Sequence, residues 1–454
     1  MSEQNRIKIM RGISFTASAL LVLSVSVHAQ SHQWQWPIRV SENHRYLVDS
    51  TGKPFFALGD SLWKTHLYSP DEVELIFEDR SQKGFTVLCV ATGCEGDLKN
   101  YRGEEAFIGD DLSRPNEAYW QHIDFIIQAA LDRNMAVMFN PIWIRHHRKR
   151  VDASGPNGCR GYGEWLARRF QRFENVMYFI GGDHPPRDEK DELEAMARAI
   201  ESAAPDALLT YHAEHQHSSR DFFPHATWLD INWTYAYTPE HRKPDYPYNQ
   251  GFEEWQDHPE TPVWFGEGYY DWGGVGLKGN DVGRYMMRRQ LYWVLLSSVA
   301  GYNYGAEGLQ DKQNNYYGNG LTWQDTLDYF SSYDCRRMLE FINGFEWWTL
   351  VPDYGNRTLI GGHGHYMGAE GDDYALAART RDGGVIVAYT PVTHDLEIDL
   401  SRVSGPAKAR WFNPVTGLYS EIGSVPKEGT RRFRSPGENG TGREDWVLVI
   451  EAEN

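Results

Sequence analysis

Cysteine is scarce in this 454-residue chain, which has only Cys89, Cys94, Cys159 and Cys335. No two of them have the Cys-x-x-Cys spacing, so a structural zinc site has little support, and buried free thiols or one incidental disulfide are expected. The sequence also lacks a Gly-x-Ser-x-Gly motif, which argues against an esterase of the α/β-hydrolase type. Internal repeats and low-complexity segments are absent too, which excludes a repeat architecture.

Positive charge is also in short supply. There are 45 Lys and Arg against 63 Asp and Glu, and the net charge is −18. A surface this acidic repels phosphate backbones, so we expect no nucleic-acid partner. One local exception is the basic run His146–Arg150. Most such runs are solvated surface, although arginine forks also suit the carboxylate or sulfate of an acidic sugar.

Long apolar runs are absent except near the N-terminus. The run Ile13–Val27 follows three basic residues and is followed by Ala29 at a small-residue cleavage site. This pattern predicts a signal peptide over residues 1–29 and a secreted or periplasmic protein. After its removal we expect no integral membrane segment.

Short apolar runs rich in β-branched and aromatic residues alternate with helical patterns over most of the chain. Eight such runs predict strands, at Pro54–Asp60, Thr86–Gly93, Met135–Trp143, Val176–Asp183, Leu208–Ala213, Trp228–Thr234, Pro262–Gly268 and Gly301–Gly308. Because most are solidly apolar and helical segments separate them, they predict a parallel (β/α)₈ TIM barrel. We place the barrel, with an N-terminal β-hairpin, at residues 30–350.

The pattern changes from about residue 353. Five short strand-like runs follow, separated by Gly, Pro, Asp and Ser and without an evident helix. This is typical of a small antiparallel β-sandwich, which we place at residues 351–454.

A barrel carries its active site at the carboxyl ends of its strands. Two carboxylates stand out there. Asp183 follows Gly181-Gly182 at the end of the fourth predicted strand, and Glu267 lies between Gly266 and Gly268 at the end of the seventh. An acid at a strand end often caps the next helix. A pair on two strands instead indicates glycoside hydrolysis, in which one acid protonates the leaving oxygen and the other attacks or activates water.

Other polar and aromatic residues at or just after the strand ends are predicted to bind the substrate. They are Asp60, Trp63, His66, Asn140, Trp143, His212, Glu214, Tyr235, Tyr269, Trp272 and Glu307. Among them, Glu214 and Glu307 are reserve candidates for the catalytic pair. The segment His212–His217 resembles a metal-binding cluster, but its spacing is not that of a zinc-protease helix, and no metal or other cofactor is predicted.

Three stretches carry a family resemblance. Lys53–Trp63, Gly181-Gly182-Asp183 and Gly266-Glu267 resemble the apiosidase-like glycoside hydrolases, family 140 and its relatives. Arg410–Gly417 resembles the small sandwich domain, named after collagen binding, that follows the barrel in that family. The resemblance covers nearly all of the chain after the signal peptide.

The resemblance implies specific roles. Asp183 becomes the general acid/base and Glu267 the nucleophile of a retaining glycosidase, with Asp60, Trp63 and His66 near the sugar. A plant or algal polysaccharide, or an oligosaccharide from it, is the expected substrate.

Three alternatives stay open at this point. One is another specificity on the same site, such as an arabinofuranosidase or a galactosidase. Another is a non-catalytic carbohydrate-binding or surface protein on the same fold. The third is a polysaccharide lyase with His212 or Tyr235 as its base.

Overall fold

The computed structural model describes residues 33–236, 247–272, 282–310, 312–314, 320–367 and 371–453, with the backbone alone for residues 282 and 299. The predicted signal peptide, residues 1–29, lies outside these residues. None of the helices described is long and apolar enough to cross a bilayer. All four cysteines are buried free thiols.

A small antiparallel sheet precedes the barrel. It contains β1 (Arg39–Val40), β2 (Leu47–Val48) and β3 (Pro54–Phe55). Leu47 and Phe55 share a hydrophobic cluster with side chains of the barrel interior. The predicted N-terminal hairpin therefore packs against the barrel.

Eight parallel strands form the barrel and confirm the predicted fold. They are β4 (Ala57–Ser61), β5 (Val87–Ala91), β6 (Ala136–Asn140), β7 (Val176–Gly181), β8 (Leu209–His212), β9 (Asn232–Tyr235), β10 (Val263–Glu267) and β11 (Val299–Tyr304). The hydrogen-bonded order runs β8-β7-β6-β5-β4-β11-β10-β9. The two end strands meet through the Thr210 hydroxyl, which donates to the Ile231 carbonyl at 2.6 Å. The barrel is thus nearly closed.

Helices surround the strands. They are α1 (Pro70–Gln82), α2 (Glu117–Asp132), α3 (Ile144–Phe170), α4 (Lys190–Ala203), α5 (Ser219–Phe222), α6 (Pro247–Asp257), α7 (Val282–Ser297) and α8 (Phe330–Ile342). The predicted start of α1 is a capping box, in which Ser69 and Glu72 each accept a hydrogen bond from the other's backbone N–H.

One helix differs from its prediction. The apolar spacing predicts a helix over residues 163–173, whereas α3 begins at Ile144, just after β6. Gly155 interrupts it with φ 60° directly before Pro156, so the helix is kinked there. The basic run His146–Arg150 therefore forms the first turns of α3, close to the carboxyl ends of the barrel strands.

The C-terminal region is a β-sandwich of two antiparallel sheets, as predicted. Its strands are β12 (Leu350–Pro352), β13 (Leu359–Gly361), β14 (Leu376–Thr380), β15 (Val385–Thr390), β16 (Asp395–Asp399), β17 (Ala407–Phe412), β18 (Tyr419–Val425), β19 (Thr430–Arg434) and β20 (Trp446–Ala452). One sheet has the order β12-β14-β15-β20-β17-β18, and the other β13-β16-β19. The predicted domain division after residue 350 stays a prediction.

A buried ion pair joins the barrel to the sandwich. Arg288 of α7 donates two hydrogen bonds of 2.9 Å to the carboxylate of Asp445, just before β20, and neither side chain is exposed. Asp334 of α8 lies 3.4 Å from the same guanidinium. Side chains of α7 and α8 share one hydrophobic cluster with those of β14, β15 and β20. The two parts consequently have a common core.

Candidate active site

The structure brings Asp183 and Glu267 together at the carboxyl end of the barrel. Asp183 follows β7, and Glu267 is the last residue of β10. One carboxylate oxygen of each, together with a ring nitrogen of His212 at the end of β8, lie within 4.8 Å of one another. Two acids and an imidazole on three different strands thus face the same point.

Glycine makes this approach possible at both acids. Gly181, Gly182 and Asp183 have φ values of 94°, 125° and 53°, a left-handed turn that returns the carboxylate over the barrel. A Cβ on Gly182 would lie 2.6 Å from the Trp143 ring. A Cβ on Gly266 would lie 1.9 Å from the Trp233 ring, so the backbone directly before Glu267 passes close against that indole.

Glu267 is held by two donors, one for each oxygen. The Nε2 of His212 lies 2.7 Å from Oε2, and the hydroxyl of Tyr270 donates to Oε1 at 2.6 Å. The phenol oxygen in turn accepts the indole N–H of Trp63 at 2.7 Å. Burial and the nearby charge of Asp183 raise the pKa of Glu267, and the two donors oppose this rise.

His212 is fully buried among aromatic rings. Its ring centroid lies 5.1 Å from Trp143, 4.9 Å from Trp233 and 5.2 Å from Tyr235. Burial lowers its pKa, but the hydrogen bond with Glu267 and the charges of Glu267 and Asp183 outweigh burial and raise it. The ring therefore has a fixed orientation and holds its proton toward Glu267.

Asp183 has a different environment from Glu267. Its Oδ2 accepts a hydrogen bond from the guanidinium of Arg145 at 3.3 Å, and that arginine is largely exposed. Its Oδ1 is buried and has no hydrogen-bond partner among the described residues. The two acids thus differ in their hydrogen bonds. Both carboxylate oxygens of Glu267 are hydrogen-bonded, whereas Oδ1 of Asp183 has no partner among the described residues.

The acids open into a cavity of about 270 Å³. Its wall consists of Trp63, Lys64, Cys94, Glu95, Trp143, Arg145, Asp183, Tyr235, Glu267, Tyr270, Glu307 and Gln310. Lys64 pairs with Glu95 at 2.9 Å, at the rim. Flat aromatic faces beside paired carboxylates are suited to a sugar ring, which has apolar C–H faces and hydroxyl edges.

Several residues singled out from the sequence line this cavity. They are Asp183, Glu267, Trp63, Trp143, Tyr235 and Glu307. His212 is linked to it through Glu267.

Asp60 lies outside this wall. It has no exposed surface and accepts a hydrogen bond from Arg80 Nε at 2.5 Å. Burial raises the pKa of Asp60, and the arginine charge opposes the rise. A side chain enclosed in this way supports the barrel and has no face open to a ligand.

His66 and Asn140 are also fully buried and outside the wall. Burial lowers the pKa of His66 to about 4. Asn140 donates to the carbonyls of Phe179 and Gly181 at 3.1 and 3.2 Å, so it holds the carboxyl end of β7 in place. Its contribution to the site is therefore to support the turn that carries Asp183.

Glu214, Tyr269 and Trp272 are partly buried and do not line the cavity either. The Tyr269 backbone N–H donates to the side chain of Gln290 at 2.9 Å. Glu214 lies 3.8 Å from His217 Nε2. Neither observation connects these residues to the catalytic pair.

Sequence reasoning missed Tyr270 and Arg145 as individual site residues. Tyr270 lies in the aromatic run after Glu267, but its reach back to the carboxylate depends on the turn after β10. Arg145 directly precedes the basic run His146–Arg150 and follows Trp143, a signal that pointed to the right segment. Only the start of α3 at Ile144 shows that its side chain faces Asp183.

The donor set also fits a divalent transition metal in principle. Within the described residues, Asp183, His212 and Glu267 form a group whose ligand atoms are close enough to share an ion. The imidazole nitrogen that faces the acids is already hydrogen-bonded to Glu267. A metal ion at this point would take the place of that hydrogen bond.

A family model described as "Apiosidase-like, catalytic domain" matches residues 41–349, about two thirds of the chain. The chain belongs to the apiosidase-like family. The match spans the barrel and contains both Asp183 and Glu267. This apiosidase-like protein is therefore a glycoside hydrolase. A second family model, for a domain named after collagen binding in a collagenase, matches residues 357–451, in the sandwich.

Solved structures share the fold of this apiosidase-like enzyme. One, titled "Glycoside hydrolase", is 24% identical with a TM-score of 0.80, covering 92% of this chain and 97% of its own. Another is a glycoside hydrolase family 5 protein from Bacteroides vulgatus, 24% identical with a TM-score of 0.78, covering 91% of this chain and 93% of its own. At this identity the likeness establishes the fold alone. No curated protein sequence matches the chain.

Proposed function

We propose that this apiosidase-like enzyme is an exported, retaining glycosidase that acts on plant or algal polysaccharide. Glu267 attacks the anomeric carbon while Asp183 protonates the leaving oxygen. A covalent glycosyl-enzyme intermediate forms, and Asp183, now a base, activates water to release the sugar. The observation that carries the proposal is the approach of the two carboxylates to within 4.8 Å at the floor of the cavity.

The short approach favours retention over inversion. Retaining enzymes hold their carboxyl groups about 5–5.5 Å apart, whereas inverting enzymes leave about 6.5–9.5 Å for a water molecule. The closest oxygen atoms of Asp183 and Glu267 lie within 4.8 Å of each other, which is shorter than the spacing that inverting enzymes keep. Direct attack by a carboxylate is the chemistry that such spacing supports.

The partners of each acid support the division of roles. A nucleophile must be ionised and fixed in direction, and Glu267 accepts a hydrogen bond on each oxygen from His212 and Tyr270. A general acid must face the leaving group, and Asp183 lines the cavity with its Oδ2 held by Arg145 alone among the described residues. Arg145 stabilises the charge on Asp183 once the proton has left.

The decisive experiment is sugar release from a panel of pectic, hemicellulosic and algal glycans, comparing the wild type with Glu267→Gln. We expect release by the wild type alone, with the first-formed product keeping the anomeric configuration of the substrate in time-resolved NMR. Equal release by both proteins would exclude Glu267 as the nucleophile. An initially inverted product would exclude the covalent intermediate.

A further inference from the structure

One short stretch of the chain carries several exposed apolar side chains. Of the eight large hydrophobic side chains exposed in the described part of the chain, Tyr354, Ile360 and Tyr366 fall between residues 354 and 366. The two tyrosines are 49% and 52% exposed. Scattered exposed apolar residues need no explanation, but a local concentration indicates a binding surface. Neither tyrosine lines the active-site cavity.

Both rings are packed on the same barrel helix. Tyr366 lies 5.7 Å from the ring of Tyr248 in α6, and its hydroxyl donates to the side chain of Asn249. Tyr354 lies 6.1 Å from the ring of Phe252, also in α6. We call Tyr354 and Tyr366 the tyrosine strip.

The helix sets the spacing of the strip. Tyr248 and Phe252 are four residues apart, so they lie one above the other on one face of α6, about 6 Å apart along its axis. The two exposed rings that rest on them are carried by successive turns of one rigid helix. The two exposed rings are therefore held along one side of α6.

The segment that carries Tyr354 is fixed before any ligand binds. The carboxylate of Asp353 accepts hydrogen bonds from the backbone N–H groups of Arg357, Thr358 and Leu359 at 3.0, 2.9 and 2.8 Å. Tyr366 also contacts the ring of Tyr374 at 5.1 Å, and Tyr374 in turn stacks on Tyr248 at 4.8 Å. Binding on rigid rings costs little conformational entropy, which is the usual property of a built recognition surface.

We propose that the tyrosine strip is a second glycan-binding surface, which stacks on neutral sugar residues of a polysaccharide chain outside the active site. This inference rests on the proposed function, because a second binding site for a polysaccharide is useful to an enzyme that degrades that polysaccharide. Exposed aromatic rings stack on the C–H faces of sugars, and Asn249 and Glu253 beside them offer partners for hydroxyl groups. The carboxylate of Glu253 disfavours a uronate at this place.

The second surface raises the concentration of substrate at the cavity. When one part of a polymer is held, capture of another part becomes an intramolecular event with a high effective concentration. We therefore expect the strip to matter for polysaccharide and to be irrelevant for a short substrate that fills only the cavity.

The test is affinity electrophoresis in native gels containing xyloglucan, galactomannan or arabinogalactan, with Glu267→Gln as the background so that the polymer stays intact. We expect at least one polymer to retard this protein, and Tyr354→Ala with Tyr366→Ala to abolish the retardation. Tyr354→Phe with Tyr366→Phe keeps both flat faces and should keep the retardation. Tyr419→Ala, which removes an exposed tyrosine of β18, is the matched control and should also keep it.

Other results would overturn the proposal. They are no retardation of the background protein by any of the three polymers, retardation that survives the double alanine change, or loss of it in the double phenylalanine variant. A change from dimer to monomer in size-exclusion chromatography would assign the strip to a contact between copies of the chain instead. In the catalytically competent protein, the double alanine change should leave hydrolysis of an aryl glycoside unchanged. A wild type that hydrolyses nothing would count against the proposed function and leave the gel result to decide on the strip.

Discussion

The indole N–H of Trp63 donates to the phenol oxygen of Tyr270 at 2.7 Å, although 207 positions separate the two residues. The oriented Tyr270 hydroxyl in turn donates to the carboxylate of Glu267 at 2.6 Å. A residue after the first barrel strand thus fixes the direction of a carboxylate on the seventh. The catalytic geometry depends on closure of the barrel, since these residues come from opposite ends of the barrel sequence.

Tyr270→Phe should impair catalysis and shift its pH dependence. The hydroxyl lowers the pKa of Glu267, so its removal raises that pKa further and leaves less of the carboxylate ionised. We expect the acidic limb of the kcat/KM profile to move to higher pH. At the optimum, kcat/KM should fall about 10- to 100-fold, the effect of losing one hydrogen bond to a charged group. Trp63→Phe removes the donor to the phenol and reduces the cavity wall, so it should shift the limb in the same direction by less. An unmoved limb in both variants would show that Glu267 is not the ionising group.

Gly266→Ala should nearly abolish activity. The new methyl group would fall on the Trp233 ring, so the backbone of Glu267 must move away from it. A displacement of about 1 Å at a catalytic group costs on the order of 100-fold in rate. The control is Gly161→Ala in α3, where a Cβ meets nothing within 4 Å and a helical alanine is favoured. Steady-state kinetics on the substrate found in the release assay would decide, and full activity in Gly266→Ala would contradict the packing described here.

Asp60→Asn should destabilise the barrel, although Asp60 does not line the cavity. It removes one of the two carboxylates that pair with the buried guanidinium of Arg80 and leaves Asp79 as the other, so we expect a loss of about 3 kcal/mol in the free energy of unfolding. Urea unfolding followed by tryptophan fluorescence measures the change. Glu164→Gln, which breaks the exposed pair with Arg168, should change the same quantity by less than about 1 kcal/mol. Equal stability of the two variants would mean that Asp60 is not a structural ion-pair partner.

The site should make stability depend on pH near neutrality. The pKa values of His212 and Glu267 are both raised in the folded protein, so the folded state binds protons more tightly than the unfolded state. For His212 the stabilising contribution is complete below 6.5 and is lost as the pH rises through the raised value. Glu267 acts in the same direction, because its ionisation is disfavoured by folding.

The measurement is the free energy of unfolding at several pH values in the wild type and in His212→Phe with Glu267→Gln, which cannot titrate at this site. The wild type should lose stability relative to the double variant as the pH rises from 6.5 upward, at up to about 1.4 kcal/mol per pH unit for each proton. Parallel curves would show that the pair does not share a proton.

The sequence predicts the barrel well because its strands are buried on both faces and read as continuous apolar runs. It predicts the sandwich less completely. Four strands are absent from the prediction. The strands β12 and β13 have only three residues each, and β18 and β19 are largely exposed and lack an apolar pattern. The closeness of Asp183 and Glu267 could be predicted because strand ends in a barrel converge by geometry. The supporting contacts could not be predicted. The ion pair of Asp60 with Arg80 and the hydrogen bond of Trp63 with Tyr270 depend on side-chain directions, which a sequence pattern does not contain.

The buried pair of Arg288 and Asp445 limits how this architecture can be divided. Two separate family models match the barrel and the sandwich, which suggests two domains that could be exchanged independently. A barrel released from its sandwich would expose the apolar side of α7 and leave an arginine that faces Asp334 without its second acid. Neither the barrel nor the sandwich is therefore suited to gene fusion or domain exchange by itself. A chimaera that folds has to take α7, α8 and the sandwich from the same parent protein.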